Sequence, residues 1–185
     1  GAGALGHGDN ADCAYPKELE DFSDTSIVQI AAGKGHMLAL DDRGQVYSWG
    51  DSSTGCLGVP QRRRRPVGGA SGLPSGKSVS GTVRRYSSSP KLILGLLNCH
   101  IVGVECGSIH ALALSTDGQV FSWGKGRHGR LGLGDEKDQL LPKSVSSGSL
   151  KKTCVIHIAC GWSFSVAIDE CGRVHSWGRG EEGQL

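Results

Sequence analysis

Four groups of residues combine types and spacings that chemistry uses. Residues 120–129, VFSWGKGRHG, run a strand-like stretch into G-x-G-x-x-G, with glycines at Gly124, Gly126 and Gly129. Between a strand and a helix, that spacing cradles a dinucleotide pyrophosphate on backbone N–H groups. Residues 72–78, GLPSGKS, approach a phosphate loop, but the motif needs a glycine where Ser71 stands. Cys154, His157 and Cys160 are zinc-ligand types at a zinc-like spacing. His36 and His110 are side chains of the kind used as general bases. Which of these chemistries survives depends on the elements that hold the residues.

Those elements repeat. Residues 33–50 (GKGHMLALDDRGQVYSWG), 107–124 (GSIHALALSTDGQVFSWG) and 161–178 (GWSFSVAIDECGRVHSWG) align without a gap, and seven of the 18 columns are identical in all three. Upstream of each window lie Val28/Ile30, Val102/Val104 and Ile156/Ile158. Downstream, each tryptophan is followed by G-x-L at Gly55-Cys56-Leu57, Gly129-Arg130-Leu131 and Gly183-Gln184-Leu185, and the same element opens the chain at Gly3-Ala4-Leu5. The repeat bounds are therefore 3–54, 55–128 and 129–182. Inside each repeat, residues such as 36–40 and 46–49 read as short strands joined by glycine turns (Asp42-Arg43-Gly44, Asp117-Gly118, Glu170-Cys171-Gly172). Short strands at a period near 50 residues predict blades of a β-propeller.

The motif I-x-C-G-x-x-H-x-L-A-L-x-x-D-G-x-V-x-S-W-G-x-G-x-x-G-x-L-G-x-G-D, matched almost position for position by Gly107 to Asp135, resembles the repeat of the RCC1 (regulator of chromosome condensation) family. The resemblance covers the whole chain apart from one insertion. It implies an all-β fold, an RCC1-like propeller of four-stranded blades. Seven blades make the family's whole fold, so three repeats are expected to be an excerpt of a longer chain.

The repeat absorbs most of the candidate chemistry. The glycines of GKGRHG recur as Gly178, Gly180 and Gly183, and RLGLGDEKDQLLP follows where a cofactor site needs a helix. Side chains alternate along a strand, so Cys154 and Cys160 point away from His157, and one metal cannot collect all three. Phe164 fills the column of His36 and His110, so these histidines read as packed rings whose nitrogens satisfy backbone groups. Gly33, Gly50, Gly107, Gly124, Gly161 and Gly178 are repeat residues, as are Trp49, Trp123 and Trp177, which read as packing between blades. Trp162 has no counterpart and reads as an isolated packed or interface residue. No Ser/His/Asp arrangement stands out. No cofactor, metal or enzymatic reaction is expected.

Residues 61–89 stand apart. They are rich in Ser and Gly, hold seven basic side chains and no acid, and leave the rest of the chain at a formal −5. Their composition predicts a disordered insertion within the second repeat. Arg62, Arg63, Arg64, Arg65, Arg84 and Arg85 form a candidate patch for an acidic partner, nucleic acid or an import receptor. Arg84-Arg85-Tyr86-Ser87 makes Ser87 a candidate phosphosite. Seven cysteines without a C-x-x-C pair favour a reduced, intracellular setting, cytoplasmic or nuclear. No apolar run approaches the roughly 18 residues of a membrane helix, so no membrane partner is expected. Two functions follow from the resemblance. The first is a protein-protein interaction module within a larger chain. The alternative is guanine-nucleotide exchange on a Ran-like small GTPase with chromatin association, as implied by the founding member, which accelerates GDP release from Ran.

Overall fold

The computed structural model describes residues 3–60 and 86–185. Among them are eleven strands in three antiparallel sheets, each a simple meander. The first sheet orders β1 (Ile27–Ala32), β2 (His36–Asp41), β3 (Val46–Asp51) and β4 (Tyr86–Leu92). The second orders β5 (Ile101–Cys106), β6 (His110–Ser115), β7 (Val120–Gly124) and β8 (Gln139–Ser144). The third joins β9 (Val155–Cys160), β10 (Phe164–Asp169) and β11 (Val174–Gly178). The strands occur because small and large apolar side chains alternate between turn signals. A buried Asp or Ser closes each tight hairpin. Asp41 Oδ1 accepts from the backbone N–H of Arg43 and Gln45, and Asp169 Oδ1 from those of Cys171 and Arg173. Ser115 does the same for Gln119.

The core lies between the sheets. All six residues of β6 are buried, and its two faces serve different neighbours. Ala111 and Ala113 face a cluster with Leu38, Leu40, Ile101 and Val104, whereas Leu112 and Leu114 join Val145, Val155 and Ile158. A central strand buried on both sides must be apolar at successive positions, and HALAL meets that need. Gln29 links the first two blades with a two-way amide pair, donating to Val104 O at 3.0 Å and accepting from Val104 N at 3.1 Å. β1 is covered on one side only: Ile30 is 68% exposed, whereas its repeat partners Val104 and Ile158 are at 0% and 3%. Short 3-10 turns lead into the first strand of each blade. Leu96 and Leu150, carried on two of them, are buried.

The structure changes one boundary. Residues 86–89, read from sequence as the end of a disordered insertion, are the start of β4, with Ser87 opposite Gly50 and Tyr86 opposite Asp51. Their serines and bulky Tyr86 suit a half-buried outer strand, a context that composition alone does not show. The inserted segment therefore joins the third and fourth strands of the first blade.

Candidate interaction surface and side-chain sites

The tryptophan column is a latch between blades. Trp49 Nε1 donates to Ala4 O, Trp123 Nε1 to Cys56 O and Trp177 Nε1 to Arg130 O, at 2.9, 2.8 and 2.9 Å. Each acceptor is the middle residue of a G-x-L element. The serine before two of these tryptophans bonds the next such element along the chain, Ser48 to Leu57 O and Ser122 to Leu131 O. The repeat signature is thus consumed in joining neighbours.

The glycine and histidine columns form a second internal unit. A Cβ on Gly33 would lie 2.2 Å from His36 Cε1, one on Gly107 2.0 Å from His110 Cε1, and one on Gly161 2.2 Å from Phe164 Cε1. The ring occupies the space a side chain would need. His36 and His110 are both buried. His110 Nε2 lies 3.0 Å from Ser165 Oγ, which itself donates to Arg130 O, so Nε2 carries the hydrogen. His36 Nε2 and His110 Nδ1 have no hydrogen-bond partner among the described residues, so the backbone partners expected from the sequence are incomplete. Burial lowers His36 to about 4. Burial, reinforced by the nearby Arg130 charge, lowers His110 to about 3. Both rings are neutral at physiological pH and enclosed, so they serve packing.

GKGRHG leads back to the blade. Gly126 N donates to Asp138 Oδ1 at 3.0 Å, and Lys125 Nζ meets Asp138 Oδ2 at 2.6 Å. A Cβ on Gly126 would come 2.1 Å from Lys137 O. Only a three-residue 3-10 turn, Arg127–Gly129, follows, where a pyrophosphate site needs a helix. Cys154 and Cys160 bracket β9, and His157 between them is exposed.

Two surfaces remain for partners. At one end of the blades the turns at Lys34, Ser108 and Trp162 are stitched in series: Lys34 N donates to Ser108 O, and both Ser108 N and Oγ donate to Trp162 O. Trp162 is 65% exposed there, with Lys34 Nζ 5.9 Å from its ring centroid. The second candidate is the basic segment and the start of β4 that follows it in sequence. Arg62, Arg63, Arg64, Arg65, Arg84 and Arg85 lie outside the described residues. Ser87 is half-buried in β4, and its hydroxyl donates to Ser89 O at 2.7 Å. Ser88 anchors the same strand to Gly8 through backbone and side chain.

One constellation escapes sequence reading. Ser149 Oγ lies 2.8 Å from His175 Nδ1, and His175 Nε2 lies 2.9 Å from Asp169 Oδ2. Serine and histidine are 26 residues apart, on an inter-blade turn and on β11, so no local motif marks them. The detectable signal is the departure of His175 from the aromatic column of Tyr47 and Phe121.

All seven cysteines are free. Burial pushes the Cys56 thiol up to about 11 and raises Cys106 and Cys160 as well, so these three are poor nucleophiles. Among the described residues no helix is long and apolar enough to cross a membrane.

Two family models, both described as "Regulator of chromosome condensation (RCC1) repeat", match the chain, one over residues 1–40, 43–114 and 117–168 and the other over 27–56, 101–130 and 155–184. The chain is 37% identical to the human E3 ubiquitin-protein ligase HERC2 over 98% of its own length and 3% of that protein's. It is 32% identical to the Xenopus laevis serine/threonine-protein kinase Nek9, covering 99% of this chain and 17% of the kinase. The Arabidopsis thaliana ultraviolet-B receptor UVR8 is also 32% identical, over 99% of this chain and 36% of the receptor. The chain thus spans about a third or less of these relatives. Among solved structures, human WBSCR16 superposes with a TM-score of 0.66 at 28% identity, over 85% of this chain and 35% of that one. Prp20p from Saccharomyces cerevisiae, studied for its binding to Gsp1p and histones, superposes at 0.64 with 27% identity, over 87% and 33%.

Proposed function

The chain belongs to the RCC1 repeat family as part of an RCC1-like propeller, and from that premise we propose that it is a protein-protein docking module. The carrying observation is how the repeat chemistry is used: tryptophans, glycines and two buried neutral histidines are spent on the joints between blades. Among the described residues, what faces outward includes the blade-end turns with the exposed Trp162, and the sequence adds the basic insertion. The relatives support the same reading, since a ubiquitin-protein ligase and a protein kinase are both far longer than the stretch they share with this chain.

Arg62–Arg65 with Arg84 and Arg85 supply the attraction for an acidic protein surface. Phosphorylating Ser87 weakens it by adding negative charge beside the arginines. The free cysteines support an intracellular setting. Photo-crosslinking from position 64 in the full-length protein tests the reading. Recurrent crosslinks to one protein are expected, and their absence from a folded, expressed sample contradicts it.

A second reading is guanine-nucleotide exchange on a Ran-like small GTPase with histone contact. It is favoured by the superposition on Prp20p, whose binding to Gsp1p and histones was studied alongside its structure. Exchange requires preferential binding to the nucleotide-free GTPase. Its test is release of a fluorescent GDP analogue.

A further inference from the structure

Trp162 departs from its repeat column without a reason inside the blade. The column holds Lys34 in the first repeat and Ser108 in the second, so the turn forms without an aromatic ring. The indole is nevertheless 65% exposed. A large apolar ring left in water adds little to the core, and tryptophan is among the side chains most enriched where partners bind tightly. Lys34 Nζ, two blades back, comes within 5.9 Å of the ring centroid. The ring therefore leans over the turns of the first two blades, not toward the free edge of the third sheet.

The three turns make one platform. Ser108 is bonded to both neighbours, accepting from Lys34 N and donating through its own N and Oγ to Trp162 O. A shallow cavity of about 320 Å³ lies among them. Its floor is small: Ala32, Cys106 and Cys160 end the inner strands, and Gly33, Gly107 and Gly161 follow them. Those glycines stay bare because the His36, His110 and Phe164 rings fill the space of a Cβ. The platform's charge is one-sided. No carboxylate lines it, and Lys34 makes no ion pair among the described residues. Asp51 N donates to Gly35 O at 2.7 Å, and Asp51 faces Tyr86 in the register of β3 and β4. Arg84 and Arg85 directly precede Tyr86 in sequence, so the basic segment rejoins its blade at the same end as Lys34.

We propose that this platform docks an acidic linear segment of a partner protein, with a carboxylate on the Lys34 ammonium and an adjacent apolar side chain against Trp162. The proposal rests on the docking reading above and gives it a place and a partner chemistry. The apolar floor and aromatic wall supply contact area, and the unpaired cation selects for acid. Single-stranded nucleic acid stacks successive bases on successive rings, whereas this platform has one ring flanked by Lys and Ser.

The test is subtractive panning of a random phage-displayed peptide library on the full-length protein, keeping peptides that wild type retains and Trp162→Ser does not. That substitution restores the residue of the second repeat, and an unchanged thermal midpoint checks its fold. The peptides kept are expected to share Asp or Glu beside a large apolar residue. As fluorescein-labelled synthetic peptides they are expected to bind Trp162→Ser and Lys34→Glu about 10-fold or more weakly than wild type, and Lys34→Arg nearly as well. Replacing their Asp and Glu by Asn and Gln is expected to weaken binding as much. No peptide kept, peptides without carboxylates, or binding that Lys34→Glu leaves unchanged overturns the proposal. Trp162-dependent binding of a labelled single-stranded oligonucleotide also overturns it, by making the platform a nucleic-acid site. Crosslinking from position 64 judges the docking reading separately, so either can fail alone.

Discussion

His110 donates Nε2–H to Ser165, and its buried Nδ1 has no hydrogen-bond partner among the described residues, so burial opposes a second proton there. His36 is in the same position at Nε2. Their folded values, about 4 and about 3, lie below the ordinary 6.5. Between those limits the unfolded chain binds more protons than the folded one. Their contribution is therefore fully present above pH 6.5 and is lost as the pH falls toward 3. The loss is on the order of 3 kcal/mol per ring. Replacing both by Phe, the residue found at Phe164, is expected to flatten the decline of the thermal midpoint between pH 7 and 4. An unchanged acid slope would remove histidine burial as the cause. Trp123→Ala is expected to cost about 3–5 kcal/mol, since it removes a fully buried ring and its bond to Cys56. At Trp177, which is only partly buried, the cost should be smaller, and chemical denaturation compares the two. The columns themselves were legible in the sequence because each repeat restates them. The acceptors were not, since Ala4, Cys56 and Arg130 contribute backbone oxygen, which no side-chain identity encodes.

At the scale of elements, the boundary of the insertion decides what can be removed. Deleting residues 61–85 shortens a connection without touching β4, and loop length enters stability only logarithmically. The thermal midpoint of that variant is expected to stay within about 3 °C of wild type, a shift below about 1 kcal/mol for a domain of this size. Extending the deletion to 89 removes the first four residues of β4, including Ser88, which bonds Gly8. That variant is expected to melt clearly lower. Equal midpoints would mean that residues 86–89 contribute nothing to the blade. Composition gave the wrong end for the loop because serine is common both in linkers and on half-buried outer strands. The pairing of Ser87 with Gly50 settles which role it has here. His175 and Ser149 were hidden for a related reason: they meet across a blade joint, and the strand pattern tracks neighbours within a blade.

For the whole molecule, the all-β class and the three repeats were readable from periodicity, because each repeat restates the same apolar alternation and turn glycines, and the family was readable from the resemblance of the repeated motif. Function was less readable, because an outward surface leaves no periodic trace. Docking and nucleotide exchange make opposite demands on a bound GTPase: exchange needs preferential affinity for its nucleotide-free state, whereas docking needs none. Release of a fluorescent GDP analogue from Ran and a panel of related GTPases, measured with the folded full-length protein, separates them. A docking propeller leaves every release rate unchanged at all protein concentrations. Saturable acceleration with one GTPase would contradict docking as the primary role and establish exchange in its place.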